Sequence, residues 1–217
     1  CTALLINGRL RGDRVEWAIT GAFGDNLDEP ARQVALKANL SEADVSGLRA
    51  LGVCINYNGY GPSLDDLHFH PNELYAALYE AGHPGAFIDS DSFRQLSEGY
   101  SQDVAASEAL APALIQPGFA MYQLPNTAWA RRVSGVFSND LVRAHPARAH
   151  AVLTEQDDGA FLVSVRAPFH HRFGAEKVCA QFETGGGRAA AAGINRLAAD
   201  DLDRLIAALA TEYGDQR

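Results

Sequence analysis

The chain is poor in cysteine and in positive charge, and it contains no long hydrophobic run. The absence of an apolar run of about 20 residues predicts no membrane span. Its three cysteines, Cys1, Cys54 and Cys179, are widely spaced and match no metal-ligand spacing. This pattern favours free thiols in a reducing, cytoplasmic compartment over a disulfide framework. The glycine-rich stretch of the chain is neither a Walker motif nor a dinucleotide-binding fingerprint, and no serine has a nucleophile-elbow context.

The chain contains 18 Lys and Arg but 27 Asp and Glu, which gives a net charge of −9. This balance argues against binding long duplex DNA or RNA, where a basic face dominates affinity. A short anionic substrate held by a few arginines or by metal ions stays compatible with it. The chain begins at Cys1, and the following TALLINGRL has the pattern of an amphipathic helix. We therefore expect a piece of a longer protein rather than a mature lipoprotein.

The first half of the chain predicts one strand among several helices. Val15, Trp17 and Ile19 alternate as in a strand that ends in Gly21, Gly24 and Asp25. Helices are predicted over residues 1–10, 30–39, 41–51, 72–82 and 100–114. Ser41 followed by Asp44 has the spacing of a capping box at the start of the third of these.

The second half predicts a separate unit that begins near Pro117. Val133, Val136, Phe137 and Leu141 share one helical face, and residues 149–166 form two alternating strands joined at Asp157-Asp158-Gly159. A short helix over 175–181, a strand over 194–197 and a C-terminal amphipathic helix follow. The pattern is that of an α/β protein with units at 1–116 and 117–217.

The most unusual segment is Gly185-Gly186-Gly187-Arg188, followed by four alanines and Gly193. Successive glycines expose backbone N–H groups that can converge on an oxyanion, and arginine binds phosphate bidentately. This pattern predicts an anion-binding loop. The alternative is a glycine-rich turn where two backbones pack closely.

Arg166 ends a predicted strand that is otherwise apolar on alternate positions, just before Pro168. It is either a solvated strand end or a second phosphate contact across a cleft.

Together these motifs resemble the DHH superfamily of phosphoesterases, in particular its DHH-associated C-terminal domain. The family signature Gly-Gly-Gly-His-x-x-Ala-Ala-Gly is matched by residues 185–193, and its preceding Ser-x-Arg by Ser164-Val165-Arg166, within a match of about 131–210. The resemblance implies that Arg166 and Gly185, Gly186, Gly187 and Arg188 bind the substrate phosphate or terminal nucleotide. It departs at Arg188, where the family usually has His, so that any titratable role of that His is lost.

The resemblance extends to the segment WAITGAFGDN, which is similar to the family's fourth metal-binding motif and would make Asp25 a ligand. The alternative interpretation is that Asp25-Asn26 after Gly24 is simply the start of an ordinary loop. Residues 1–116 would then be the remnant of a parallel-sheet catalytic domain, before a smaller mixed-sheet α/β domain at 117–217. The family's Asp-His-His does not occur in the chain. The Mn²⁺ or other divalent cation would therefore be bound only in the intact protein, and we expect this chain alone to be inactive.

Histidines offer weaker candidates. His68 and His70, close to Asp65 and Asp66, could form a metal site, although a polar loop against the next helix is the preferred interpretation. His170 and His171 follow Arg166 closely and are candidates to border the substrate pocket.

The leading hypothesis is a metal-dependent phosphoesterase, a hydrolase whose partners are small phosphorylated substrates or short oligonucleotides. The alternatives are a non-catalytic module that binds nucleic acid or nucleotides, and a degenerate interaction scaffold. Long duplex DNA and membranes are not expected partners, and homodimer formation is left open. Asp25 and its flanking strand separate the first hypothesis from the second, because a binding module would not need them.

Overall fold

The computed structural model describes residues 1–214 of the 217-residue chain, with ten α-helices and six β-strands among them. The helices are Thr2–Arg9 (α1), Val15–Gly24 (α2), Asp28–Lys37 (α3), Glu42–Tyr57 (α4), Pro71–Ala81 (α5), Pro84–Ile88 (α6), Asp91–Glu108 (α7), Ala128–Ala144 (α8), Ala175–Cys179 (α9) and Leu202–Tyr213 (α10). The strands are Leu114–Ile115 (β1), Phe119–Leu124 (β2), Ala149–Glu155 (β3), Phe161–Arg166 (β4), Gly185–Arg188 (β5) and Ala191–Leu197 (β6). No helix within the described part of the chain has the length and apolar character that crossing a membrane requires.

The chain forms two compact units, Cys1–Gln102 and Asp103–Arg217. Within the described residues, the first unit contains helices joined by turns and loops, and the six strands belong to the second unit. The predicted α/β class and the mixed C-terminal sheet are confirmed. The division between the compact units falls within α7, whereas the sequence pattern placed it near residue 117.

The strand predicted over residues 15–25 is wrong, because this segment is helix α2. Ile19, Ala22 and Phe23 are buried at helical spacing. The glycines expected to end the strand instead allow α2 to cross α4 closely. A Cβ added at Gly24 would lie 2.9 Å from the carbonyl oxygen of Gly52. The local alternation of apolar residues was therefore overridden by packing between helices.

The end of α2 accounts for the Asp25-Asn26 pair. Asn26 has φ 58°, and its N–H donates to Phe23 O while that of Leu27 donates to Ala22 O, the Schellman pattern of helix termination.

At the start of α4, the predicted capping box is confirmed: Ser41 Oγ accepts from Asp44 N at 3.2 Å, and Asp44 Oδ2 accepts from Ser41 N at 3.2 Å.

The six strands form one sheet in the order β1-β2-β3-β4-β6-β5, in which only the β2–β3 pair is parallel among the described strands. The predicted hairpin is confirmed as β3 and β4, with Gly159 at φ 76° in its turn. One sheet face packs on α9 and α10 around Val163, Val165 and Leu209. The other face packs on α8, through Tyr122, Val152 and Phe137.

The glycine segment was predicted to be a loop. It is instead the edge strand β5, which pairs antiparallel with β6. Two of its glycines are required by packing. A Cβ at Gly185 would lie 1.8 Å from Cys179 O, and one at Gly187, whose φ is 146°, would lie 2.4 Å from Ala192 Cα. At these two positions the alternative of close backbone packing holds. Gly186 is different, because a Cβ there would have no neighbour within 4 Å.

Candidate anion-binding site

Two arginines face the same side of the sheet in one row of the strand register. Arg166 on β4 pairs with Ala191 on β6, and Ala191 pairs with Arg188 at the end of β5. Directly paired residues of antiparallel strands point to the same face. With a spacing of about 4.8 Å per strand, the two arginine Cα atoms are about 10 Å apart across the intervening alanine.

The surface between the arginines carries almost no side chains. The next row of the register contains Ser164, Gly193 and Gly186, and none of the three is fully buried. We call the surface formed by Ser164, Ala191, Gly193 and Gly186 the trough. Small residues here leave the backbone accessible to a ligand. Gly186 shows this most clearly, because a Cβ there would have no neighbour within 4 Å.

Arg166 is held in place by α8 and by its own strand β4. Its Nε donates to Asn139 Oδ1 of α8 at 3.0 Å, and its Nη1 donates to Ser164 Oγ at 2.8 Å. Nη2 makes no hydrogen bond to the residues that the structure describes, so its two donors are available. Burial lowers the pKa of this guanidinium from its ordinary value. Arginine nevertheless stays protonated in proteins, so the side chain is a positioned cation.

Arg188 is exposed and has neither an ion pair nor a hydrogen-bonded side-chain partner in the part of the chain described. The β5 backbone adds a donor beside it. Gly185 N donates to Phe182 O rather than to β6, and N–H direction alternates along a strand. The N–H of Gly187 therefore also points away from β6, at an exposed position of the sheet edge.

The two ends of the sheet differ in charge. At the end with Arg166 and Arg188, the connections 145–148, 167–174 and 189–190 contain Arg148, Arg172 and three histidines but no Asp or Glu. The opposite end carries several acidic residues, namely Glu155, Asp157, Asp158, Glu183, Asp200 and Asp201. Carboxylates lie just outside these connections, since Glu212 of α10 is next to Gly174 and forms an ion pair with Lys177. The side chains of the three connections themselves carry only positive charge, which favours an anion over a cation there.

His170 lies exposed in the connection between β4 and α9, where its backbone N donates to Pro146 O at 3.1 Å. The structure thus brings it to the same end of the sheet as Arg166. Its predicted contact with substrate stays a prediction.

A histidine that the sequence did not single out lies beside Arg166 in the register. His150 is 0% exposed, and neither ring nitrogen has a hydrogen-bond partner in the described structure. Burial, together with the nearby charges of His145 and Arg148, lowers its pKa to about 4, although the Arg148 backbone opposes the shift weakly. The ring is therefore neutral near pH 7.

The metal site implied by the resemblance has no counterpart among residues 1–214, where no three His, Cys, Asp or Glu side chains cluster closely enough to hold an ion. Asp25 is exposed at the C-cap of α2, so its expected setting after a strand is wrong. Its ligand role stays a prediction that rests on the resemblance. The residues described do not fit a divalent cation by themselves.

His68 and His70 occupy structural positions in the first unit. His70 Nδ1 accepts from Asn72 N at 3.3 Å at the start of α5, while the His68 ring stacks on Tyr57 with centroids 6.2 Å apart. The His68 ring also packs over Gly99, where an added Cβ would lie 2.5 Å from His68 Cε1. These contacts agree with a polar loop against the neighbouring helices.

No family model and no curated protein matches the chain. Among solved structures it is similar to the pGpG-specific phosphodiesterase PggH of Vibrio cholerae, with 16% identity and a TM-score of 0.49. That match covers 66% of this chain and 50% of the other, so the chain spans about half of that structure. CDC45 of Entamoeba histolytica is similar at 9% identity and a TM-score of 0.47, over 76% of this chain and 37% of the other. Neither likeness is close enough to assign the chain a family or a function.

Proposed function

We propose that the sheet unit of this chain binds the phosphate of a small phosphorylated substrate or short oligonucleotide, as the C-terminal portion of a metal-dependent phosphoesterase of the DHH type. The observation that carries the proposal is the placement of Arg166 and Arg188 on one sheet face with the trough between them. The motif resemblance adds the enzyme class.

In this proposal, Arg166 is the fixed anchor. Its contacts to Asn139 and Ser164 orient the guanidinium before a ligand arrives and leave Nη2 to donate to two phosphate oxygens. Preorganisation of this kind lowers the entropic cost of binding. Ser164 Oγ already accepts from Arg166, so its own hydroxyl hydrogen is available as a further donor.

Arg188 is the adaptable partner. Its exposed guanidinium can approach the phosphate from the opposite side of the trough, and the absence of a side chain at Gly186 leaves room for the ligand. Arginine in place of the family's histidine supplies charge and bidentate geometry without titration near pH 7.

The contribution of this unit to a reaction is substrate positioning. The resemblance assigns hydrolysis to divalent cations, Mn²⁺ or another, bound by the intact protein. The described residues do not supply such a centre, so the proposal gives them no part in the chemical step.

A second candidate is a nucleotide-binding module without catalysis. It is favoured by the lack of a three-ligand cluster among the described residues and by the role of Asp25-Asn26 in ending α2. Both candidates require the same phosphate site and differ only in whether the intact protein hydrolyses what it binds.

Isothermal titration of the full chain with AMP tests the shared claim. We expect measurable binding, weakened at least tenfold by Arg166→Ala, because a charge-assisted hydrogen bond contributes about 1.5–3 kcal/mol. Arg188→Ala should weaken binding less, since the exposed side chain is not preorganised. Arg196→Ala is the matched control, an exposed arginine of the same sheet that pairs with Asp158 at the acidic end. Equal affinities for wild type and Arg166→Ala would overturn the proposal.

A further inference from the structure

The connection from Ala167 to Gly174, which we call the aromatic loop, has the sequence APFHHRFG and leaves two phenylalanines in solvent. Phe169 is 53% exposed and Phe173 is 60% exposed. Isolated exposed apolar residues are ordinary, but two phenylalanines that flank His-His-Arg within five residues form a concentrated aromatic and basic surface. Folding of the sheet unit does not account for their exposure.

The aromatic loop is fastened to the phosphate site at both of its ends. It begins directly after Arg166, where Ala167 N donates to Ala190 O at 3.0 Å. On its far side, Ala175 N donates to Ala189 O, also at 3.0 Å. Ala189 and Ala190 form the β5–β6 turn that directly follows Arg188. The loop and the proposed phosphate site are therefore parts of one end of the sheet.

The loop is further ordered along its length. His170 N donates to Pro146 O at 3.1 Å, in the connection between α8 and β3. Tyr213 Oη donates to Phe173 O at 3.2 Å from α10. Together with the bond from Ala167 N, these bonds fix the backbone on both sides of Phe169, so the ring is presented from a defined position.

The chemistry of the loop matches a flat, electron-rich ring. The guanidinium carbon of Arg172 lies 5.9 Å from the centroid of the Phe169 ring, and the His170 ring lies edge-on at 6.4 Å. Aromatic rings and guanidinium planes are the groups on which unpaired nucleobases stack. A peptide segment of Asp and Glu alone would use the positive charge at this end but has no flat apolar group to pack on the exposed phenyl ring.

We propose that Phe169, with Arg172, is the stacking platform for the nucleobase of an unpaired terminal nucleotide whose phosphate binds Arg166. This inference rests on the proposed function and narrows its substrate class from phosphorylated compounds to nucleotides. The base must be unpaired and at a strand end or in a mononucleotide, because stacking on the ring requires a free face of the base.

The test compares AMP with ribose 5-phosphate, which carries the same phosphate and sugar without the base, in titrations of the full chain. Base–aromatic stacking predicts that AMP binds about 5- to 150-fold more tightly than ribose 5-phosphate. Phe169→Leu should abolish that difference and leave ribose 5-phosphate binding unchanged, whereas Phe169→Trp should preserve it. Tyr79→Ala is the control, since it removes a ring that is 77% exposed in the other unit.

The outcomes separate the two proposals. If ribose 5-phosphate binds through Arg166 and AMP binds no better, the platform is wrong and the phosphate site stands. A preference for AMP that survives Phe169→Leu likewise overturns the platform. If neither ligand binds, the phosphate site itself fails and the platform falls with it. Parallel titrations with a mononucleotide and a dinucleotide distinguish free nucleotides from oligonucleotide ends as the ligand. If either binds more tightly than ribose 5-phosphate, and Phe169→Leu removes that difference, the platform is supported.

Discussion

Arg166 and Arg188 lie in one register row on the same sheet face, with only Ala191 between them. They come from strands that are not neighbours in the sheet and are 22 positions apart in the chain (188 − 166). One guanidinium is fixed by hydrogen bonds, and the other is free in solvent. A fixed and a mobile cation on either side of bare backbone is the arrangement on which the proposed phosphate site rests.

The two neighbouring glycines of β5 should respond differently to substitution. Gly185→Ala should lower the free energy of unfolding by about 1–3 kcal/mol, because its Cβ would overlap the carbonyl of Cys179. Gly186→Val should change stability by no more than about 0.5 kcal/mol, since that position is open. It should nevertheless weaken AMP binding about tenfold, or about 1.4 kcal/mol, by filling the trough. Urea unfolding and calorimetric titration measure both effects, and unchanged AMP binding in Gly186→Val would contradict the proposed site.

His150 predicts acid sensitivity with a definite sign. Its pKa falls from an ordinary 6.5 to about 4 on folding, so the folded state binds the proton more weakly than the unfolded state. Stability is therefore complete above pH 6.5 and is lost as the pH falls from 6.5 to 4, by up to about 3 kcal/mol. His150→Asn removes this titration, and urea unfolding at several pH values compares the two proteins. Parallel losses of stability in wild type and variant across that window would show that His150 is not responsible.

The ion pair between Asp103 and Arg132 connects α7 to α8 inside the sheet unit. Asp103 accepts from Arg132 Nε at 2.6 Å and from Nη2 at 2.9 Å, and both side chains are at most 10% exposed. Asp103→Asn should destabilise the protein by about 3–5 kcal/mol, because it leaves a buried guanidinium without its counter-charge. Asp140→Asn breaks the exposed pair with Arg143 and should cost less than about 1 kcal/mol. Comparable unfolding midpoints for the two variants would contradict this assignment.

The metal prediction concerns the chain by itself. Because the described residues form no three-ligand cluster, the purified chain should not cleave a nitrophenyl phosphodiester with Mn²⁺ above the rate of Mn²⁺ in buffer. AMP titration of the same preparation is the control for a folded binding site. Manganese-dependent turnover that Asp25→Ala abolishes would show that the chain does carry a metal centre, and that Asp25 belongs to it.

Local sequence signals predicted much of the fold. The β3–β4 hairpin, the Ser41–Asp44 capping box and most helices follow from periodicity and turn or cap residues close in sequence. The prediction of a strand over 15–25 was wrong because an alternation of apolar residues over five positions fits both a short strand and a buried helix. The deciding contact, Gly24 against Gly52, is between two helices and has no local signature.

The candidate site was only partly predictable for the same reason. Its glycines and arginines stood out in the sequence, but the shared face of Arg166 and Arg188 depends on strand order. The burial of His150 and its place beside Arg166 also depend on long-range pairing. The aromatic loop did have a local signal, because the aromatic and basic sequence APFHHRF directly follows the strand that ends in Arg166. That the two phenylalanines are exposed, and so able to contact a ligand, is known only from the structure.

The most direct test is a crystal structure of the chain soaked with sulfate. The proposal predicts a sulfate ion over the trough, within hydrogen-bonding distance of Arg166 Nη2 and contacted by the Arg188 guanidinium from the opposite side. A trough without an ion, with both guanidinium groups turned to solvent while sulfate binds elsewhere, would contradict the central claim.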